Sequence, residues 1–155
     1  MPGGNPPFLR FAQDTIPTPE GGGILGGSDD FKLINDTYGH PTGDMALRHV
    51  ALLLDRCARD SDIAARLGGD EFLLILPGAS HAHSVDVAER LTLLAQETPL
   101  RIDGAGFIPL RMSIGVAAYP NDAIQSHTLL TIADTRLYEA KKSGGRGRIG
   151  RADGA

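Results

Sequence analysis

Ile63-Ala64-Ala65-Arg66-Leu67-Gly68-Gly69-Asp70-Glu71-Phe72-Leu73-Leu74-Ile75-Leu76 is the stretch on which the fold turns. Two short apolar runs, Ile63 to Leu67 and Phe72 to Leu76, flank Gly68-Gly69-Asp70-Glu71. That combination predicts a β-hairpin. Gly68 and Gly69 can take the positive φ of a tight turn, and they let a ligand approach the backbone. Asp70 and Glu71 place two adjacent carboxylates at the tip. Such a pair can hold Mg²⁺, which takes one or two carboxylates together with phosphate oxygens, and the metal can then polarise a phosphoryl group. The same four residues also make an ordinary polar turn, so both readings stand on this stretch alone.

Upstream, Leu47, Val50, Ala51 and Leu54 recur on one helical face. They predict a helix over residues 45–58 with Asp44 as its N-cap. Downstream, Val87, Leu91 and Leu94 predict a helix from about Ser84 to Glu97. Leu100 to Ile102 and Ile108 to Ala118 read as strands joined through Asp103-Gly104-Ala105-Gly106. Leu130, Ala133, Leu137 and Ala140 mark a last helix that ends before Gly144-Gly145. With a strand ahead of the first helix, this order is an α+β domain of the ferredoxin-like type, an antiparallel sheet covered by helices. The first strand is the weak point. Gly21-Gly22-Gly23-Ile24-Leu25-Gly26-Gly27-Ser28 contains only two residues that favour a strand interior, and glycine weakens one. Each large side chain missing from a central strand forfeits about 1.5–3 kcal/mol, against a total stability of about 5–15 kcal/mol.

The 155 residues fit one domain, and a hydrophobic content of 41% can fill a core. Without tryptophan, that core must be largely aliphatic. A formal charge of −4 argues against the basic footprint of a nucleic-acid binder, though a few local cations can still hold a phosphate. The single Cys57 precludes an internal disulfide and suits a reducing cytoplasm. No apolar run approaches the ~20 residues that span a bilayer. No charged-then-apolar leader is evident either, so a cytoplasmic domain without a membrane segment is expected. Seven of the 20 glycines and five of the 10 prolines lie in residues 1–28, and five further glycines lie in residues 144–155. The ends therefore read as loop. The expected organisation is an irregular segment over 1–28, the folded domain over 29–148 and a flexible tail over 149–155. Phe8 to Ala12 is the one plausible helical scrap in the first segment.

Arg66 to Phe72 resembles the signature of the GGDEF domain family, the module of diguanylate cyclases. Three further segments agree in order and spacing: Asp30 to His40 followed by Gly43-Asp44, Met112 to Ala117, and Ala133-Asp134 to Tyr138 followed by Ala140 to Gly144. The resemblance covers residues 29 to about 148. It implies a nucleotidyl-cyclase-type fold that condenses two GTP into cyclic di-GMP and pyrophosphate, with Mg²⁺ or Mn²⁺ as cofactor. It implies a homodimer, because each chain carries one GTP.

The resemblance also implies roles. Asp70 is a metal ligand, and Glu71 binds metal or deprotonates the attacking 3′-hydroxyl. Lys32 joins them in catalysis. Asn35, His40 and Asp44 read the guanine; an acid can accept from N1–H and the amino group, and an amide can offer the complementary donor. Phe31, Lys32, Lys141 and Arg146 hold phosphate, with the amides of Asp30 to Lys32 leading into a helical turn. Arg59 and Asp62 match the RxxD of an inhibitory site for cyclic di-GMP, where the arginine pairs with phosphate and guanine. The plainer readings are a capping Asp44, solvated lysines and a surface i,i+3 ion pair worth little.

Two departures stand out. The family's first-strand metal acid lies eight residues before the asparagine, a position that is Gly27 here. Asp29 is the candidate replacement: it faces the same side but sits about 7 Å further along the strand, at ~3.3 Å per residue. A two-residue slip of register would deliver it. The family also has a helix ahead of the first strand that residues 1–28 do not match, and Arg146 stands one position late against the usual Gly-Arg-Asn. Two functions follow. One is a diguanylate cyclase; the other is a catalytically impaired domain that binds GTP or cyclic di-GMP as a signalling module.

Overall fold

Phe72, Leu73, Leu74, Ile75 and Leu76 are all buried, so β3 (Glu71–Pro77) meets a packed layer on each face. This is why the second arm of the hairpin is a continuous apolar run and not an alternating one. The structure, a computed structural model, describes residues 21–28, 31–142 and 149–151. The first arm, β2 (Ile63–Gly68), pairs antiparallel with β3 at the sheet edge. β1 (Gly21–Ser28) lies on the other side of β3 and also pairs antiparallel with β6 (Met112–Tyr119). β7 (Ile149–Gly150) joins β6 in parallel, which gives the order β2-β3-β1-β6-β7. β4 (Leu100–Ile102) and β5 (Gly106–Ile108) form a separate two-stranded sheet.

Four helices among the described residues cover the five-stranded sheet: α1 (Phe31–Tyr38), α2 (His40–Cys57), α3 (His81–Glu97) and α4 (Ser126–Lys142). On one face, Phe72, Leu74 and Leu76 of β3 and Met112, Ile114 and Val116 of β6 pack with Val50, Leu53 and Leu91 from α2 and α3. On the other face, Ala117 packs with Leu129, Ala133 and Leu137 of α4, and Leu73 and Ile75 pack with Leu130. The α+β, ferredoxin-like reading is therefore correct. No described helix is long and apolar enough to cross a membrane.

Five expectations change. Ile149 and Gly150, expected in a flexible tail, form β7 at the edge of the five-stranded sheet. Residues 21–28, which their glycines mark as irregular, form the central strand. Its backbone pairs along its length, from Gly21 opposite Pro77 and Tyr119 to Gly27 opposite Glu71 and Ser113. Two ladders satisfy the backbone groups whatever the side chains are. Asp44 is not an N-cap: α2 starts five residues before Met45, with Gly39 at its N-cap and Pro41 in its first turn, where a missing N–H costs nothing. Helix α3 starts at His81, because Ser80 caps it by accepting from the His83 N–H at 3.1 Å. The span from Ile108 to Ala118 is broken at residues 109–111, where β5 ends and β6 has not begun. Phe8 to Ala12 lies outside the described residues.

Helix α4 docks by its backbone. A Cβ added to Gly115 of β6 would collide with the Ala133 carbonyl and stand 2.6 Å from the Leu137 nitrogen. A side chain at Gly115 would thus push α4 off the sheet. Arg136 fastens the same helix by donating to the Val116 carbonyl at 2.7 Å and to both Asp122 oxygens at 2.9 and 3.0 Å. Asp122 also accepts from the Ala118 N–H at 2.8 Å.

Burial pushes the Asp122 carboxyl up, but the Arg136 and Ala118 hydrogen bonds and the Arg136 and His81 charges outweigh it, so its pKa falls below the usual 3.8. A carboxyl held low in the folded state stabilises fully above its unfolded value, and the contribution is lost as pH falls through the folded value. Asp122→Asn is expected to cost about 1.5–3 kcal/mol at neutral pH, the scale of a charge-assisted hydrogen bond. That deficit should shrink as the pH drops below about 3.8. Urea denaturation of both proteins at neutral and acid pH measures it; a deficit independent of pH would remove this account.

Candidate functional site

The end of β1 places Gly27 in the middle of a cross-strand row. Glu71 of β3 lies on one side of it and Ser113 of β6 on the other. Side chains alternate along a strand. A Cβ on Gly26 would meet Ile114 at 3.6 Å and Met112 at 3.7 Å, on the face of α2 and α3. Gly27 therefore faces α4. There a Cβ would stand 2.9 Å from the Lys141 ammonium nitrogen and 3.3 Å from its Cε. Lys141, from the last turn of α4, lies over Gly27. Burial and the charge of Asp134 push the Glu71 carboxyl above its ordinary value, Lys141 pulls it back, and Asp70 adds to the rise. Asp70, Glu71, Asp134 and Lys141 thus form one charged neighbourhood.

The hairpin tip is shaped by backbone needs. Gly68 has φ 141 and Gly69 φ 53, and a Cβ on either would meet nothing within 4 Å. Conformation, not space, requires glycine there. Arg66 reaches across the turn and donates through Nε at 3.0 Å and Nη2 at 2.7 Å to the Gly69 carbonyl. The planar guanidinium suits one oxygen gripped by two N–H groups. Arg66 was visible in the motif, but nothing in its spacing assigned it this clamp.

A second group sits where α1 turns into α2. Gly39, at φ 92, donates its N–H to the Asn35 carbonyl at 2.9 Å and closes α1. A Cβ on Gly43 would overlap Asn35 Oδ1, so glycine at 43 is what lets the Asn35 carboxamide lie against α2. That Oδ1 is buried and has no hydrogen-bond partner. An unsatisfied buried acceptor costs about 1–3 kcal/mol. Asp44, next to Gly43, is exposed, as are His40 and Lys32. Phe31 is half-buried against the main core.

Arg59 and Asp62 close on each other ahead of β2. Asp62 accepts the Arg59 backbone N–H at 2.7 Å and the guanidinium at 3.1 and 3.3 Å. Arg59 also donates to the Pro77 carbonyl at 3.2 Å. The Asp62 side chain is 1% exposed and that of Arg59 50%, so this is not a simple surface pair. A cavity of about 420 Å³ opens elsewhere, between α1 and the β5–β6 connection, lined by Leu33, Tyr38, Ile108 and Arg111 among others. None of the residues given a role from the resemblance lines it. Asp29, the Asp30 amide and Arg146 lie outside the described residues.

The described residues do not complete a metal centre. No three His, Cys, Asp or Glu side chains among them converge on a point. Asp70 and Glu71 are one pair; the neighbouring strand offers Gly27, with an ammonium over it.

The sequence model of the family described as "Diguanylate cyclase, GGDEF domain" matches residues 21–147. The chain belongs to the GGDEF domain family. It is similar to diguanylate cyclase A of Treponema denticola, 41% identical over 121 residues that make up 78% of this chain and 32% of that protein. It also resembles the crystal structure of the GGDEF domain of PA1120 (YfiN or TpbB) from Pseudomonas aeruginosa, with a TM-score of 0.81 and 36% identity, covering 94% of this chain and 88% of that one. The GGDEF domain of DgcB from Caulobacter crescentus, solved in complex with c-di-GMP, matches with a TM-score of 0.77 and 30% identity over 85% of this chain and 77% of that one. The chain spans about a third of the length of the curated relatives it matches.

The clamp on the hairpin tip is directly testable. In Arg66→Ala, amide exchange at Gly69 to Glu71 should quicken by about tenfold, the equivalent of ~1.4 kcal/mol of local opening. The core amides of β3 should keep their protection. Unchanged tip exchange would show that the guanidinium does not hold the turn.

Proposed function

We propose that this chain is a guanine-nucleotide-binding GGDEF domain, laid out to join two GTP into cyclic di-GMP across a homodimer, with turnover curtailed at Gly27. The observation that carries the reading is the buried, unpartnered Oδ1 of Asn35 beside Gly43. Guanine presents donors at N1–H and its amino group on one edge, and an acceptor at O6. Asn35 and the exposed carboxylate of Asp44 complement that edge. His40 sits close by in sequence, at the start of α2.

The triphosphate extends toward the hairpin end of the sheet. Lys32, Lys141, Arg146 and the backbone N–H of Phe31 balance its charge. Glu71 takes the proton of the 3′-hydroxyl. The freed oxygen attacks the α-phosphorus of the GTP on a second chain, in line with the departing pyrophosphate. One P–O bond forms and one breaks at each of two such steps. Each chain carries half of this arrangement, so turnover requires the dimer.

Gly27 separates binding from turnover. It leaves Asn35 and Asp44 untouched, but it removes a carboxylate from the row shared with Glu71. Calorimetry with GTP is expected to show one site per chain, weakened by about tenfold or more in Asn35→Ala. Chromatography after incubation with GTP and Mg²⁺ is expected to show only traces of cyclic di-GMP. Gly27→Asp should raise the product by at least about tenfold, with a rate that climbs steeply with protein concentration, and Glu71→Ala should abolish it. A folded chain without affinity for GTP would end this reading.

A second reading is favoured by the forked contact between the half-exposed Arg59 guanidinium and the buried Asp62 carboxylate. Here the pair receives cyclic di-GMP, whose phosphates replace the Asp62 carboxylate as partners of Arg59. Arg59→Ala should weaken cyclic di-GMP by about tenfold or more while GTP affinity stays as it was. Equal binding of cyclic di-GMP by both proteins would dismiss it.

A further inference from the structure

We infer that the Lys141 ammonium stands in for a divalent cation at this site, so that the chain binds the phosphates of a guanine nucleotide without Mg²⁺. This rests on the reading that a nucleotide's phosphates come to the hairpin end of the sheet.

The position of the ammonium is built in. The backbone of α4 meets the sheet at Gly115 and again at Gly150, where a Cβ would collide with the Arg136 carbonyl. Leu137, whose N–H lies over Gly115, is one turn before Lys141, and residues four apart share a helix face. Gly115 pairs with Leu25 and Ser113 with Gly27, so one strand step of two residues separates the two rows. Four helical residues rise about 6 Å, close to the ~6.6 Å of two strand residues. The turn that seats Leu137 over Gly115 therefore delivers Lys141 over Gly27. Its Nζ lies 2.9 Å from the place of the missing Cβ, with its Cε at 3.3 Å.

The chemistry of that position follows. Any side chain at residue 27 would have to displace the lysine. With glycine there, the Lys141 ammonium lies over the row and close enough to act on the Glu71 carboxylate. A divalent cation brought to the pair Asp70 and Glu71 would meet an ammonium instead of a carboxylate, and like charges at such range disfavour each other. Asp134 is near enough to act on Glu71, but among the described residues the acids do not converge as a metal set. An ammonium carries three N–H donors and no acceptor, which suits phosphate oxygens.

The test pairs a metal titration with a nucleotide titration. Mn²⁺ is followed by electron paramagnetic resonance on the nucleotide-free chain, and GTP by calorimetry in Mg²⁺ and in EDTA. The proteins are the parent, Gly27→Asp and Lys141→Met, a change that keeps an apolar stem without the charge. The parent is expected to leave Mn²⁺ free and to bind GTP within about threefold in the two buffers. Lys141→Met should lose about tenfold or more of its affinity in EDTA. Gly27→Asp should acquire a Mn²⁺ site and a GTP affinity that depends on metal. Mn²⁺ held by the parent and released by Glu71→Ala, or a GTP affinity that collapses in EDTA, would overturn the inference while leaving nucleotide binding intact. Absence of GTP binding in both buffers would instead refute the nucleotide reading and this inference with it.

Discussion

The backbone of α4 rests on β6 with no room for a methyl group between them, because residue 115 is glycine. Much of the molecule depends on that contact. It buries Ala117 under Ala133 and Leu137, and closes the second face of the sheet. It also sets the height and rotation of the helix, since a helix resting on backbone cannot slide as one resting on flexible side chains can. Arg136 locks the same setting from the flank through Val116 and Asp122. The backbone of the last turn of α4 is then placed with little freedom, and Lys141 projects from it.

The central strand is the other structural lesson. A strand of glycines interspersed with two apolar residues has poor intrinsic preference for extended backbone. Two long neighbours impose it here. β3 and β6 carry the apolar side chains of the core, and β1 lies between them in register over its length. Its peptide groups bond to both sides, so leaving them unpaired would cost more than the glycines lose. The packing is supplied by the layers above and below the neighbouring strands. Such a strand tolerates loss of side chains better than loss of partners.

This explains what the sequence could reveal. The hairpin was legible because its two apolar runs and its glycines act within a few residues of one another. The helices were legible because α2, α3 and α4 each bury a face that repeats at helical spacing. β1 was misread because its stability comes from residues about fifty and ninety positions away. The start of α2 was misread for a local reason. Asp44 looks like a cap, whereas Gly39 ends α1 at positive φ and lets α2 begin directly. In the candidate site, Asn35 and Asp44 were named from the motif, but not the overlap that makes Gly43 necessary. The lysine over Gly27 was named only as a phosphate ligand, because no spacing rule connects residues 27 and 141.

The two halves of the site are assembled differently, and that bears on how each can change. The half proposed for guanine, Asn35, His40 and Asp44, lies within one helix-turn-helix segment, residues 35 to 44. Its geometry is set by local bonds such as Gly39 N–H to Asn35 and by the Gly43 contact. The half proposed for the phosphate draws Gly27 from β1, Glu71 from β3 and Lys141 from α4, elements that meet only in the finished fold, and adds Phe31 and Lys32 from α1. A substitution in β1 therefore alters the second half and leaves the first intact. Gly27 lies in that second group: the strand forms, the row to Glu71 is kept, and the Lys141 side chain lies over the glycine. The group around Asn35 and the row through Gly27 are thus separable in this fold, and the separation follows from which residues are neighbours in sequence.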